Sequence, residues 1–361
     1  MKTYKQCKRP QPPLPRYRGL KWLDVDLPTG YQLWLPGKRY AVGKDFSHHR
    51  ALTRELLDLL ERDRWRWPRR TVCFFSDLHG DAEAFLASLV ASGGVKKTGP
   101  GDRDLKLTRA GRKALFIIGG DCFDKGPSSL QLLRVVRVLM KRGARVKILA
   151  GNHDVRLMLG IHSLFMEPDI RTAHFFIRMG SKVIPLLKEI SDQYLQGAKA
   201  LRGIPGEKEC RRRIYPPKRW FSEFPVIARW VMPDDGIERE MKRLQVKMDR
   251  FEGDCRKAGL SMRQVYAAAK QWRRLFLKPK GEFSWFFDRA KLAHREGSFL
   301  FIHAGLDDRI ARIVSSKGIK HLNHLFERQL YGDPFDFYYG PLANTVRTKY
   351  RDVDMPLTRH G

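Results

Sequence analysis

The segment FFSDLHGD, residues 74–81, places two carboxylates and an imidazole close together at Asp77, His79 and Asp81. Neighbouring carboxylates repel each other, and a charged group that is buried without a partner is costly. A divalent metal ion is one partner that both carboxylate and imidazole bind. The segment therefore predicts a metal-ligand motif at Asp77 and His79, whereas Asp81 is better placed to cap a following helix.

Three later segments carry the same residue types. They are GGDCFDKG at 119–126, GNHD at 151–154 and HAGL at 303–306. Each segment alone has an ordinary structural explanation, such as a turn, a helix N-cap or a core histidine with its hydrogen bonds satisfied. Four such segments, each directly after an apolar stretch, are hard to explain by chance.

The elements around these segments alternate between strand and helix. Strands are predicted at 71–76, 114–118, 146–150 and 298–302, and helices at 81–92, 127–142 and from 153 to 159. All four strands are predicted to be buried, and Pro127 is expected in the first turn of its helix. This alternation predicts an α/β fold. Because ligands bind beyond the carboxyl ends of the strands in such sheets, the four segments are expected to converge.

Other parts of the chain look like additions to this core. Residues 95–112 are predicted to form a surface hairpin, and residues 160–296 are rich in Lys and Arg and largely helical. Helices are expected there at 181–196, 234–257, 261–277 and 283–295, followed by one at 319–330 and an irregular tail. The predicted organisation is an irregular N-terminal extension (1–47), a first core part that opens with a helix at 48–62 (48–159), an inserted helical cap (160–296) and a second core part (297–361).

The net charge is the unusual feature of the composition. The 361 residues include 70 Lys and Arg against 39 Asp and Glu, which gives a formal net charge of +31. Such a field attracts nucleic acid and other polyanions, although a basic surface in solvent explains the charge equally well. No apolar run is long enough to cross a membrane, and no apolar stretch follows the charged start. Five scattered cysteines predict reduced thiols and a cytoplasmic location.

The four segments together resemble the signatures of the calcineurin-like metallophosphoesterases. They are most similar to the phosphoprotein-phosphatase branch, which includes bacterial serine/threonine phosphatases and diadenosine tetraphosphate hydrolases. The resemblance covers residues 71–159 and 297–308, and it does not extend to the N-terminal extension or the helical cap. It implies a layered β-sheet core flanked by helices and a metal-dependent hydrolase, or phosphatase, acting on phosphate esters.

The resemblance also implies a set of metal ligands. Asp77 and His79 would hold a first ion, Asp121 would bridge two ions, and Asn152 and His303 would hold the second. Oxygen and imidazole ligands suit Mn, Fe, Zn or Mg, with manganese favoured. A hydroxide between the two ions would attack the phosphorus.

The same resemblance implies roles for the neighbouring residues. His153 would be the general acid and Asp124 would orient its ring. Lys125 stands where the family usually has an arginine that contacts phosphate. A lysine offers a single point charge, whereas an arginine can donate two parallel hydrogen bonds to the phosphate. Arg156 is either a further phosphate contact or a surface arginine, and Asp154 stands where relatives often have glutamate.

The chain departs from the family pattern near its end. The family has one more metal histidine in a late Gly-His motif, and no such pair follows His303. Three explanations stay open: water replaces the ligand, the last strands are missing, or activity is lost with the fold kept. His360 would need the tail to fold back, and His321 and His324 lie on a predicted helix. We expect weakened metal binding and activity.

A second function is also compatible with the sequence. A catalytically weak or inactive scaffold could bind nucleic acid or another polyanion through the basic cap. Its segments RRRIYPPKRW (211–220) and QWRRLFLKPK (271–280) mix cations with aromatic rings that could stack on bases. The alternative is that these rings face the core. The substrate, whether a phosphoprotein, a nucleotide or a small phosphomonoester, and the oligomeric state stay open.

Overall fold

The structure is a computed structural model, and it describes residues 21–28, 66–197 and 199–347. The helix predicted at 48–62, most of the N-terminal extension, Cys7 and His360 lie outside these residues. The four other cysteines are free thiols. Within the described part of the chain, no helix combines the length and the apolar character that a membrane span needs.

Eight strands are described. They are β1 (Val72–Phe75), β2 (Val95–Lys97), β3 (Leu105–Leu107), β4 (Leu115–Ile118), β5 (Arg145–Leu149), β6 (Ala290–Lys291), β7 (Ala293–Glu296) and β8 (Phe299–Ile302). The central sheet has the order β1-β4-β5-β6 and is parallel throughout. The pairs β2–β3 and β7–β8 form two separate antiparallel hairpins. The mixed α/β fold with a parallel central sheet is therefore confirmed.

Helices surround this sheet. They are α1 (Ala82–Ala91), α2 (Arg109–Lys113), α3 (Ser129–Lys141), α4 (Asn152–Ser163), α5 (Phe175–Met179), α6 (Ile184–Tyr194), α7 (Glu207–Ile214), α8 (Trp220–Ala228), α9 (Asp234–Lys257), α10 (Met262–Leu277), α11 (Trp285–Arg289), α12 (Asp308–Leu330), α13 (Pro334–Tyr339) and α14 (Pro341–Arg347). Asp81 caps α1 by accepting a hydrogen bond from the Ala84 N–H at 2.9 Å, as predicted. Pro127 precedes the Ser128 cap of α3 and so lies outside the first turn.

Burial of the strands differs from the sequence prediction at three of them. β4 is fully buried, as expected of a central strand. In β5, however, Arg145 and Lys147 are exposed on one face, so only the carboxyl end of that strand, Ile148 and Leu149, is buried on both faces. β8 is half-buried because it belongs to a hairpin outside the central sheet. In edge strand β1, Phe74 is exposed and packs against Phe301 of the hairpin.

Aromatic side chains hold together the helices between residues 160 and 289, which we call the helical segment. Trp272 stacks on Phe276, and both are buried. Phe123, which lies between the two aspartates of GGDCFDKG, reaches this cluster and contacts Phe276 and Phe287. The aromatic core of the helical segment therefore anchors a loop at the end of β4.

The C-terminal part differs most from the prediction. The helix expected at 283–295 is the short α11 followed by β6 and β7, because residues 290–291 pair with Ile148 and Leu149 of β5. Helix α12 begins well before 319, and a break at Gly318, with φ 79°, falls near the predicted start. The tail expected to be irregular contains α13 and α14.

Candidate metal centre

Loops at the carboxyl ends of the parallel strands β1, β4 and β5, together with the loop after hairpin strand β8, bring the four segments together. The Asp77 N–H donates to the Gly120 carbonyl at 3.2 Å, and the His79 N–H donates to the Asp121 carbonyl at 2.7 Å. On the other side, His303 Nδ1 lies 2.7 Å from the Gly119 carbonyl. Residues that are up to 184 positions apart thus meet through backbone contacts.

The backbone at this site adopts an unfavourable conformation. Among the described residues, positive φ angles at non-glycine positions occur at Asp77, His79, Asp121, Asp124 and Lys125, with values from 47° to 70°. L-amino acids seldom adopt this left-handed region, and each such residue costs about 1 kcal/mol or more. All five belong to the predicted site, so strain is concentrated where the side chains must converge.

Two glycines allow the loops to approach closely. A Cβ on Gly126 would lie 2.0 Å from the His79 carbonyl oxygen, and one on Gly151 would lie 2.2 Å from the Asp121 nitrogen. Neither distance is possible for a side chain. The glycines of GGDCFDKG and GNHD are therefore required by the packing of one loop against another.

Asp121 lies at the centre of the site, and its side chain is only 3% exposed. Its Oδ2 is 3.9 Å from Nε2 of His79 and 3.9 Å from Nε2 of His153. Its Oδ1 is 3.5 Å from Nε2 of His303. Two candidate metal-binding groups result, His79–Asp121–His153 and Asp77–Asp121–His303, and they share Asp121.

The atoms around Asn152 suit a cation. The amide oxygen of Asn152 lies 3.2 Å from Nε2 of His303, and the same position is 3.1 and 3.2 Å from the two carboxylate oxygens of Asp121. Four acceptor atoms thus converge with no hydrogen between them in this amide orientation. A rotated amide or a bound cation would satisfy them, and the oxygen and imidazole donors are those of a divalent ion.

Hydrogen bonds behind the ligands fix the histidine rings. With Nδ1 of His303 directed at the Gly119 carbonyl, the proton is placed on Nδ1 and the Nε2 lone pair faces Asp121. His79 is held in the same way, with Nδ1 at 3.3 Å from the Phe123 carbonyl. Both rings therefore direct an unprotonated Nε2 toward the centre, as metal-binding histidines do.

Lys125 occupies a position that the sequence did not predict. Its Nζ lies 2.8 Å from Nε2 of His79, the nitrogen expected to bind the first ion. The ammonium group therefore lies at the position where the first metal ion is expected, and a metal ion bound to His79 requires the lysine to move. Its long side chain allows that movement toward a bound phosphate.

His153, Asp124 and Arg156 form a second buried group beside the centre. Nδ1 of His153 lies 2.8 Å from Oδ2 of Asp124. Nη2 of Arg156 is 3.0 Å from the same Nδ1 and 3.6 Å from Oδ2 of Asp124. Arg156 is thus not a surface arginine directed into solvent, because its guanidinium packs against this pair.

Asp154 is a site residue whose role the sequence analysis missed. Its buried carboxylate accepts three backbone N–H groups, from Gly151, Asp121 and Cys122, at 2.8–2.9 Å. It therefore ties the loop after β4 to the loop after β5. Burial and the nearby Asp121 raise the pKa of Asp154 to about 8, and the three N–H donors act in the opposite direction. Its position three residues after the N-cap Gly151, where an acidic side chain can accept from the N-cap N–H, was the available signal.

The remaining histidines do not join this centre. His321 and His324 lie on α12, and neither belongs to the two candidate groups found among the described residues. The fold therefore brings together five predicted metal ligands, namely Asp77, His79, Asp121, Asn152 and His303, and His153 is the one further histidine in the candidate groups found among the described residues.

Comparison with known proteins agrees with this geometry. The family model for calcineurin-like phosphoesterases matches residues 70–253, just over half of the chain. The chain belongs to the calcineurin-like phosphoesterase family. The match includes the first three segments and continues into the helical segment, whereas His303 lies beyond it. No curated protein and no solved structure matches the chain.

Family membership and the two candidate metal groups support a metal-dependent hydrolase of phosphate esters. The calcineurin-like superfamily predicted from the sequence is thereby confirmed. The phosphoprotein-phosphatase branch within it stays a prediction.

Proposed function

We propose that the protein hydrolyses phosphate esters at a centre of two divalent metal ions, with manganese favoured. Asp77 and His79 would hold one ion, Asn152 and His303 the other, and Asp121 both. The observation that carries this proposal is the buried Asp121 carboxylate, which is shared by two candidate groups. When bound, the ions supply a hydroxide nucleophile at neutral pH and neutralise charge on the phosphoryl oxygens.

His153 is the proposed general acid. With Nδ1 protonated and donating to Asp124, its Nε2 is left to carry the proton that the leaving oxygen needs. Asp124 then holds the ring in this orientation and stabilises its protonated form. Arg156, beside Asp124, would balance the charge of that carboxylate until substrate arrives.

Lys125 and Arg156 are the proposed substrate contacts. Both side chains reach the centre and are flexible enough to turn toward a phosphoryl group. Lysine provides charge without the two-pronged geometry of arginine, so phosphate would be oriented mainly by Arg156 and the metal ions. No Gly-His pair follows His303 in the sequence, so water would take the place of the further histidine that the family has. This replacement would weaken the binding of the second ion.

The helical segment, predicted at 160–296 and ending at Arg289 because residues 290–291 join the central sheet, remains the proposed cap that shapes substrate specificity. Its basic-aromatic stretches do not support nucleic-acid binding by base stacking, because the rings point inward. Tyr215 and Trp220 of the first stretch and Trp272 and Phe276 of the second are buried. We therefore propose phosphoesterase activity as the function, in preference to nucleic-acid binding.

Hydrolysis of an aryl phosphate with added Mn²⁺ tests this proposal. Asp121→Asn should lower kcat/KM by about 10³-fold, equivalent to about 4 kcal/mol, because both ions lose their shared ligand. Asp249→Asn, on the exposed face of α9, is the matched control and should leave turnover unchanged. Turnover that is independent of metal, or equal in the two variants, would refute the proposal.

A further inference from the structure

A basic cleft lies on the β2–β3 hairpin, away from the candidate metal centre. It has a volume of about 460 Å³ and is lined by five cationic side chains and no acidic one. The polar lining residues are Lys96, Lys106, Thr108, Arg109, Arg112 and Arg142. The only apolar one, Leu107, is buried beneath them.

Two lysines of the hairpin directly oppose each other. Lys96 and Lys106 are partners in the antiparallel register, and both are exposed, whereas their neighbours along each strand are buried. Like charges at opposed positions destabilise a strand pair. The hairpin therefore holds an unfavourable pair of charges that an anion between them would relieve.

The arginines around the cleft are held by backbone carbonyls. Arg112 donates to the Leu107 carbonyl and Arg142 to the Arg103 carbonyl, both at 3.1 Å. Arg145, just outside, donates to the Arg112 carbonyl at 2.9 Å. These bonds fix the guanidinium groups and leave their positive charge uncompensated.

This pattern differs from the general basic surface of the protein. In the helical segment, exposed arginines pair with acids, as Arg211 does with Glu252 and Arg212 with Glu209. None of the five cations lining the cleft forms an ion pair with a carboxylate of the described residues. The cleft is thus a local excess of positive charge.

Its position separates the cleft from the metal centre. Arg145 pairs in register with Leu115 at the amino end of the central sheet, and α2 leads directly into β4. The metal centre lies at the carboxyl end, so about 10 Å of strand separates the two along β4. The cleft is therefore not an extension of the catalytic pocket.

We propose that this cleft binds a chain of consecutive phosphate groups, as in inorganic polyphosphate. Closely spaced cations with no intervening acid match closely spaced phosphates. No aromatic ring lines the cleft, so it offers no surface for base stacking. The cleft therefore recognises the phosphate groups of its ligand and gains nothing from nucleic-acid bases.

Binding of fluorescently labelled inorganic polyphosphate in EDTA tests this site, because chelation removes any contribution from the metal centre. Lys96→Gln/Lys106→Gln should weaken binding about tenfold or more. Lys242→Gln/Lys257→Gln, which removes the same charge from exposed positions on α9, should weaken it less than about twofold. Equal weakening by the two variants, or no binding by the wild type, would overturn the proposal.

Two further measurements complete the test. A thymidine oligonucleotide with an equal number of phosphates should bind more weakly than polyphosphate, and tighter binding would overturn phosphate-only recognition. The Lys242/Lys257 variant should unfold at the wild-type denaturant concentration, the Lys96/Lys106 variant at that concentration or slightly above it because an unfavourable charge pair is removed, and both should hydrolyse aryl phosphate at the wild-type rate. A failed catalytic proposal would leave the binding result unaffected, since the assay contains no metal.

Discussion

The strand-end loops and the helical segment differ in what they bury: the loops surround polar groups, and the helical segment surrounds aromatic rings. In the helical segment, side chains adopt favourable packing, with Trp272 and Phe276 stacked at 4.7 Å. In the loops, Asp77, His79 and Asp121 hold unfavourable backbone angles around a polar centre. Strain of this kind persists only where the surrounding structure enforces it. The packing of the helical core therefore offsets the free-energy cost of the strained loops.

Charge shows the same contrast. The buried Glu240 of the helical segment pairs with Arg178, whose guanidinium also lies over the ring of Tyr338. At the site, the buried Asp121 carboxylate has only histidine nitrogens, at 3.5–3.9 Å, as ion-pair partners among the described residues. The charge of Glu240 is thus balanced by an arginine, whereas that of Asp121 is left for metal ions to balance.

The largest expected effect on stability is in the helical core. Trp272→Ala should lower the free energy of unfolding by about 3–5 kcal/mol, because it opens a cavity among stacked rings. Trp230, which is 90% exposed, is the matched control, and its alanine variant should change that free energy by less than about 0.5 kcal/mol. Urea unfolding followed by circular dichroism measures both. Similar losses in the two variants would mean that the aromatic cluster does not stabilise the fold.

The next effect should appear in catalysis and hardly in stability. His153→Gln should lower kcat by about 10²–10⁴-fold with a poor leaving group, because the general acid is lost. The loss should be smaller with p-nitrophenyl phosphate, whose leaving group needs no proton. His162→Gln, on the same helix, is the control and should retain wild-type kcat. Equal losses with both substrates would contradict the general-acid role.

The smallest effect concerns the connection between two site loops. Asp154→Ala leaves three backbone N–H groups without their acceptor and should lower the free energy of unfolding by about 1–3 kcal/mol. Asp154→Asn should cost less, because it keeps one acceptor oxygen and cannot become negatively charged beside Asp121. Urea unfolding in EDTA separates this effect from metal binding. An alanine variant as stable as the wild type would show that the loops hold each other by other means.

The convergence of the site was predictable because it follows from a general property of parallel sheets. Asp77, Asp121 and Asn152 each come directly after a strand, and such strands end at one edge. The bounds of α9 were also predictable, since its 24 residues begin directly after Pro233 and end two residues before Gly259.

Features that depend on distant contacts were not predictable. β6 has two residues, and its strand conformation comes from pairing with Ile148 and Leu149, far away in sequence. The contact of Lys125 with His79 and the bonds of Asp154 to the Asp121 and Cys122 N–H groups arise from loop geometry that no local pattern encodes. Residue types thus identified the chemistry, and tertiary packing set which atoms touch.

The central claim is that Asp121 is shared by two metal ions, and Mn²⁺ binding measured by calorimetry tests it most directly. The wild-type chain and the Asp249→Asn control should each bind two ions, the second more weakly. Asp121→Asn should lose both, because each ion shares that carboxylate. Retention of two ions by Asp121→Asn, or no Mn²⁺ binding by the wild type, would contradict the account.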